Sequence, residues 1–199
     1  MTPEKGKYPI FERTTKSNQM KRNILIFGLV SGLILGLFIC SFNWLSTKHN
    51  NITDNYITGY AAMIIAFSFI FVGIKNFRDK YNGGVVSFGK AFRIGLGIAL
   101  IGSTIYVAAW VIDYYFFMPD FMDKYAAHII KQAQDSGASP AVLSQKIAEA
   151  NSMKELYKSP VWVILFTYLE ALPVGVVISL LAALILKRKQ PRANVSVQL

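Results

Sequence analysis

The sequence predicts an all-α, polytopic membrane protein with four transmembrane helices and a two-helix extracytoplasmic hairpin between the third and fourth. Three observations carry this. Four long apolar segments, Ile24–Leu45, Ile57–Ile74, Ile94–Phe117 and Val161–Leu186, punctuate the chain. At roughly 1.5 Å of rise per residue, each can cross a hydrocarbon core of about 30 Å. Apart from Asp113 and Glu170 the charged residues are segregated between these segments, and the third connection has a helical apolar period of its own. The mean hydropathy is positive and the apolar fraction is 53%, a composition of membrane rather than globular or disordered chains.

The domain plan is a basic cytoplasmic tail over residues 1–23, a membrane domain over 24–186 and a basic cytoplasmic tail over 187–199. The spans are 24–45, 57–74, 88–117 and 161–186, with an outer helical loop at 118–160. Of the 21 Lys and Arg residues, six precede Ile24, five lie between Lys75 and Arg93, and four follow Leu186. By the positive-inside rule these three segments are cytoplasmic. Four spans put both termini on one side, so span count and charge agree. In the loop 118–160 five lysines face five acids, and long translocated loops escape the rule. The net charge of +10 is thereby assigned to anionic lipid headgroups at the cytoplasmic face, and no nucleic acid partner is expected. The single Cys40 lies within the first span among apolar neighbours, which excludes an intrachain disulfide and points to inert packing.

The first 23 residues show little periodicity and read as a loose cytoplasmic segment. Ser46–Tyr56 is a short outer loop holding Asn51-Ile52-Thr53, so the first two spans are antiparallel neighbours. Asn82-Gly83-Gly84 signals a turn in the loop Lys75–Ser87, and Ser87 can cap a helix starting near Phe88. Phe121, Met122, Tyr125, Ala126, Ile129, Ile130 and Ala133 outline one outer helix, stopped at Asp135-Ser136-Gly137. Ser139-Pro140 opens a second, whose apolar face is Val142, Leu143, Ile147, Ala148 and Leu156. Ser159-Pro160 repeats the signal and opens the last span. The pair reads as a lid on the headgroups, or alternatively as a platform for a partner.

Small residues recur where membrane helices pack closely. Gly28, Gly32 and Gly36 form one stripe, Gly95 and Ala99 belong to a second, and Gly175 and Ser179 to a third. Their expected role is internal bundle packing; the alternative for the first stripe is a homodimer. Ser103, Tyr106 and Asp113 continue the third span's stripe. Asp113, beside Trp110, Tyr114 and Tyr115, reads as an interfacial acid in an aromatic belt. Glu170 lies about 5 Å from the middle of the last span, where an acid costs a few kcal/mol and no Lys or Arg matches its depth. It is expected to stay protonated and to hydrogen-bond neighbours, with Thr167 on its side of the helix and Tyr106 at similar depth. Pro173 frees a carbonyl near Leu169 and predicts a kink. Either a structural polar clamp or an ion-coupled site fits these residues, the clamp being the leading reading.

With these residues assembled, the chain resembles the Bacteroidota integral membrane proteins of domain-of-unknown-function family 4199. The resemblance covers roughly Lys21 to Lys189. It is carried by Phe69-Ile70-Phe71-Val72-Gly73-Ile74, Tyr81-Asn82-Gly83-Gly84, Ser87-Phe88-Gly89-Lys90-Ala91-Phe92 and Pro119-Asp120-Phe121. Its most specific block is Thr167-Tyr168-Leu169-Glu170-Ala171-Leu172-Pro173-Val174-Gly175. It implies a four-helix protein of a bacterial cytoplasmic membrane and brings no activity.

The chemistry-bearing motifs of enzymes are missing from the sequence. His49 and His128 lack zinc-ligand spacing, and no P-loop, nucleophile elbow or zinc-protease helix occurs. No catalytic residue, cofactor or metal is therefore expected, and the chain does not read as an enzyme. The leading expectation is a structural or accessory envelope protein, assembling with itself or other envelope membrane proteins. The alternative is an oligomeric proton- or ion-coupled small transporter using Glu170.

Overall fold

A computed structural model describes residues 9–49 and 56–188. The helices are α1 (Pro9–His49), α2 (Tyr56–Phe67), α3 (Phe69–Asn76), α4 (Phe88–Ile112), α5 (Phe121–Asp135), α6 (Pro140–Tyr157) and α7 (Pro160–Leu186). Short π-helical turns extend α3 over Phe77–Tyr81 and α4 over Asp113–Phe117. Four helical stretches are long and apolar enough to cross a membrane: Lys16–Leu45, Ile57–Tyr81, Phe88–Phe117 and Pro160–Leu186. The first eight residues, the Asn51-Ile52-Thr53 tripeptide and the tail beyond Arg188 lie outside the described residues.

Two boundaries differ from expectation. Residues 9–23, anticipated as a loose tail, continue α1. Their Lys, Arg, Gln and Met residues are good helix formers, and a helix already nucleated by an apolar span extends at little cost. The second span also runs past Ile74 to Tyr81 and is interrupted at Ser68. There the Ser68 hydroxyl donates to the Ile65 carbonyl at 2.6 Å, the back-bonding by which serine distorts helices.

The start signals are realised at Ser87 and Ser139, whose side chains accept from the Lys90 and Val142 amides, each at 3.4 Å. Ser159 precedes α7 without making a side-chain cap bond. Gly83 and Gly84, at φ 65° and 77°, occupy the left-handed region that glycine enters without penalty. They turn the chain from the second span into α4.

Helix α4 is the most enclosed of the four long helices, because α1 and α7 pack on opposite sides of it through glycines. A Cβ at Gly28 would meet Ile101, one at Gly32 would meet Ile105, and one at Gly36 would approach Ala109. Equal steps of four on both helices make α1 and α4 parallel neighbours. Gly95 faces Ser179 and Gly175 faces Ala99, so α7 descends antiparallel. The first glycine stripe is thus an internal surface rather than a homodimer face. Phe67, Ile70, Ile74, Ile94 and Ile98 fill the centre.

Leu25, Leu29, Leu33, Leu37, Ile64, Ile65, Val177, Leu181 and Ile185 lie on the outside. Helices that are apolar both inward and outward need lipid or protein around them. Among the described residues, the outside of this bundle is a fit to hydrocarbon.

The two ends are fastened differently. At the basic end, Val86 and Arg188 exchange backbone hydrogen bonds at 3.0 and 2.8 Å, and Arg78 donates to the Leu186 carbonyl at 3.3 Å. At the other end an aromatic cluster joins α4, α5, α6 and α7. Trp110 meets Phe121 edge-on at 5.0 Å, and Tyr157 stacks on Phe166 at 5.9 Å. Trp110 and Tyr114 are buried here instead of forming a belt; Tyr115, Phe116 and Phe117 are the exposed ones. A Lys154–Asp123 ion pair ties α6 to α5. Helix α6 departs from its expected face: Val142 and Ile147 are exposed, and Ala150 is its buried residue.

Candidate functional site: polar groups within the apolar bundle

A polar side chain in an apolar bundle is costly unless it is satisfied, so the location of each one decides what it can do. Most are consumed by packing. Asn23 donates to the Gly73 carbonyl at 2.8 Å and accepts from Asn76 at 2.7 Å, stitching α1 to α3. Ser31 donates to the Ala66 carbonyl at 2.9 Å, joining α1 to α2. Thr167 and Ser179 return their hydroxyls to the carbonyls of Val163 and Gly175, both at 2.7 Å. Thr167 is therefore occupied within its own helix and makes no bond to Glu170.

Asp113 is only 7% exposed, against its expected place at the water interface. It accepts a hydrogen bond from the Asn43 side-chain amide on α1. It continues by fours the row Ile101, Ile105 and Ala109 that faces α1, and its own backbone is still α-helical, its N–H donating to the Ala109 carbonyl. Here the acid faces α1 rather than solvent. The Asn43 partner was not anticipated from sequence, since nothing local connects positions 70 residues apart.

Ser103 is completely buried, and its hydroxyl has no hydrogen-bond partner. Tyr106 is buried on the same helix, with its hydroxyl in electrostatic reach of Glu170, Tyr157 and Tyr60. Tyr157, at the end of α6, has its hydroxyl pushed above the ordinary tyrosine range by burial first and by the nearby Glu170 second. Glu170 thus sits within the influence of tyrosines from two other helices.

Glu170 itself lies on the outside of the bundle. On α7 the inward line is Val163, Thr167, Ala171, Gly175, Ser179 and Ala182, and Glu170 falls on its flank. No hydrogen bond or ion pair reaches its carboxyl among the described residues. Pro173 is also exposed, and α7 continues as helix through it. Lacking an N–H, Pro173 leaves the Leu169 carbonyl without its usual donor. The carboxyl and this carbonyl therefore mark one polar spot on the outer surface of α7.

The expected cluster of Glu170, Thr167, Tyr106, Ser103 and Asp113 is therefore divided. Asp113 belongs to a buried contact with Asn43 between α1 and α4. Thr167 is self-contained, and Ser103 is enclosed. Glu170 and Tyr106 remain as electrostatic neighbours, one outside and one inside. The described residues hold no group of three or more His, Cys, Asp or Glu side chains suited to a metal ion.

No curated protein and no solved structure matches the chain significantly. A family model described as a protein of unknown function (DUF4199) matches residues 26–188, which take in three of the four long helices and most of the first apolar span. The chain belongs to that family.

Proposed function

We propose that this chain is a multi-pass protein of a bacterial cytoplasmic membrane that serves as a structural or accessory component of the envelope and not as an enzyme. Its termini are cytoplasmic, anionic headgroups contact its basic end, and α5 and α6 form the extracytoplasmic hairpin. The observation that carries this reading is the placement of Glu170 outside a closed interior. A carrier needs a polar route through the bundle. Here the centre is filled by Phe67, Ile70 and Ile98, all at 0% exposure, and the paired interior groups Asn23, Ser31 and Asp113 join helices.

The second reading, an oligomeric proton- or ion-coupled transporter using Glu170, draws on the electrostatic proximity of that carboxyl to Tyr106 and Tyr157. Proteoliposomes carrying a trapped pH-sensitive dye separate the two. Under an imposed pH gradient or membrane potential, the proposal expects proton and sodium fluxes equal to those of empty vesicles. A flux above that level that Glu170→Gln abolishes would replace it with the transporter.

A further inference from the structure

We infer that the outer face of α7 is an interface between two copies of this chain, with Glu170 of each copy hydrogen-bonded to Glu170 of the other. The inference rests on the reading of the chain as a bilayer-spanning assembly component and names the surface through which it assembles.

Helix α7 has two faces of different period. The inward one advances mostly by fours, from Val163 through Ser179. The outward one contains Phe166, Glu170, Pro173, Val177, Leu180 and Leu184, which alternate steps of four and three. That spacing is the 3.5-residue seam by which two helices pack side chains into one another in a left-handed crossing. Phe166 is half-buried against Tyr157, and the other five are exposed. An apolar seam alone is equally at home against lipid. Glu170 makes the difference, because lipid tails offer its carboxyl no partner.

Three considerations select a second copy. A protonated carboxyl carries one donor and acceptor capacity, so two of them satisfy each other reciprocally. Copies inserted in the same orientation and related by a two-fold along the membrane normal place identical residues at identical depth. The two carboxyls therefore meet whenever the two seams meet, whereas an unrelated partner would need a matching group at that level. Finally, none of the four long helices exposes a Lys or Arg at the level of Glu170, so an off-axis pairing between copies would offer neither acid a cation. One polar position in an apolar seam also sets register and partner number, which gives the acid a purpose in spite of its cost.

The test uses the full chain in liposomes, with Cys40→Ala as background. Val177→Cys places a thiol on the seam two turns from Glu170, and Leu37→Cys places one on the exposed face of α1, which is 68% exposed. Oxidative crosslinking should join copies through Val177→Cys and not through Leu37→Cys. Energy transfer between labelled copies, followed as protein is diluted in lipid, gives the dimerisation constant. Glu170→Leu should weaken it roughly eightfold, the equivalent of two hydrogen bonds of the average strength measured between membrane helices. Glu170→Gln should stay within about twofold, since paired carboxamides also donate and accept. Circular dichroism and thermal unfolding of both variants should match the parent.

A monomer at every dilution, leaving the seam to lipid or to another membrane protein, overturns the inference. So does crosslinking through Leu37→Cys alone, or a Glu170→Leu variant that dimerises like the parent. The flux assay is independent of these outcomes. A monomer without flux leaves the structural reading standing, and a dimer with Glu170-dependent flux removes that reading while keeping the interface.

Discussion

Gly175 should be the position where a single methyl group does measurable damage to the bundle. A Cβ added there lies 2.7 Å from the Ala99 Cβ, 3.3 Å from the Phe67 ring and 3.5 Å from the Ala99 Cα. Carbon atoms prefer about 3.5–4.0 Å, so α4 and α7 must part by roughly 1 Å at their crossing. Neither neighbour can yield alone: Ala99 has no torsion to turn, and Phe67 is fully buried. A gap of that size forfeits about a quarter to a half of each affected contact, and overpacking of this kind costs about 1–3 kcal/mol. Alanine regains up to about 1 kcal/mol of helix propensity over glycine. The net expectation for Gly175→Ala is a loss of about 1–2 kcal/mol. Gly36→Ala provides the comparison, because its Cβ would stand 3.5 Å from Ala109, an ordinary contact that leaves only the propensity gain. Reversible unfolding in mixed micelles, followed by circular dichroism, measures both. Gly32→Ala should resemble Gly175→Ala, since its Cβ would meet the Ile105 Cβ at 2.7 Å. Were the first stripe a dimer face, the Gly32 substitution would instead be the milder one for the fold. Equal stability of Gly175→Ala and the parent, or greater damage from Gly36→Ala, would refute the close-packing argument.

Three further outcomes are expected. Asn43→Ala leaves the buried Asp113 carboxyl without its donor and should cost about 1–3 kcal/mol in the same unfolding assay, and the cost of Asn43→Ala should be smaller in an Asp113→Ala background. Ser103→Ala removes a buried hydroxyl that has no partner; it should be neutral or stabilising by up to about 1 kcal/mol, and a clear loss would mean that the hydroxyl is satisfied after all. Single cysteines at Ser136 and at Asn82, in the Cys40→Ala background, report orientation: an impermeant maleimide applied to intact spheroplasts should label the first and spare the second, and the opposite pattern would invert the topology.

The existence of the four long helices and the all-helical class were legible in the chain, because bilayer thickness sets a length and apolar composition marks it. The same holds for the turn at Gly83-Gly84 and the caps at Ser87 and Ser139, where one or two residues dictate the backbone locally. The small-residue stripes were also visible, since a four-residue repeat needs no partner to be seen. Which helix each stripe meets was not. That Gly28 and Gly32 face α4 follows from relative rotation and depth of two helices 73 residues apart in sequence, information carried by packing alone.

The polar residues illustrate the same division most clearly. From the chain, Glu170 and Asp113 were both acids in or beside a span, and depth alone ranked Glu170 as buried and Asp113 as interfacial. Tertiary structure reverses the two. The close approach of α1 along the row Ile101, Ile105 and Ala109 encloses Asp113 against Asn43, while the tight contact of Gly175 with Ala99 rotates α7 so that Glu170 lies outside. Depth is a property of one helix and can be counted along it. Facing is a property of a pair of helices, and it is decided by where their surfaces come closest.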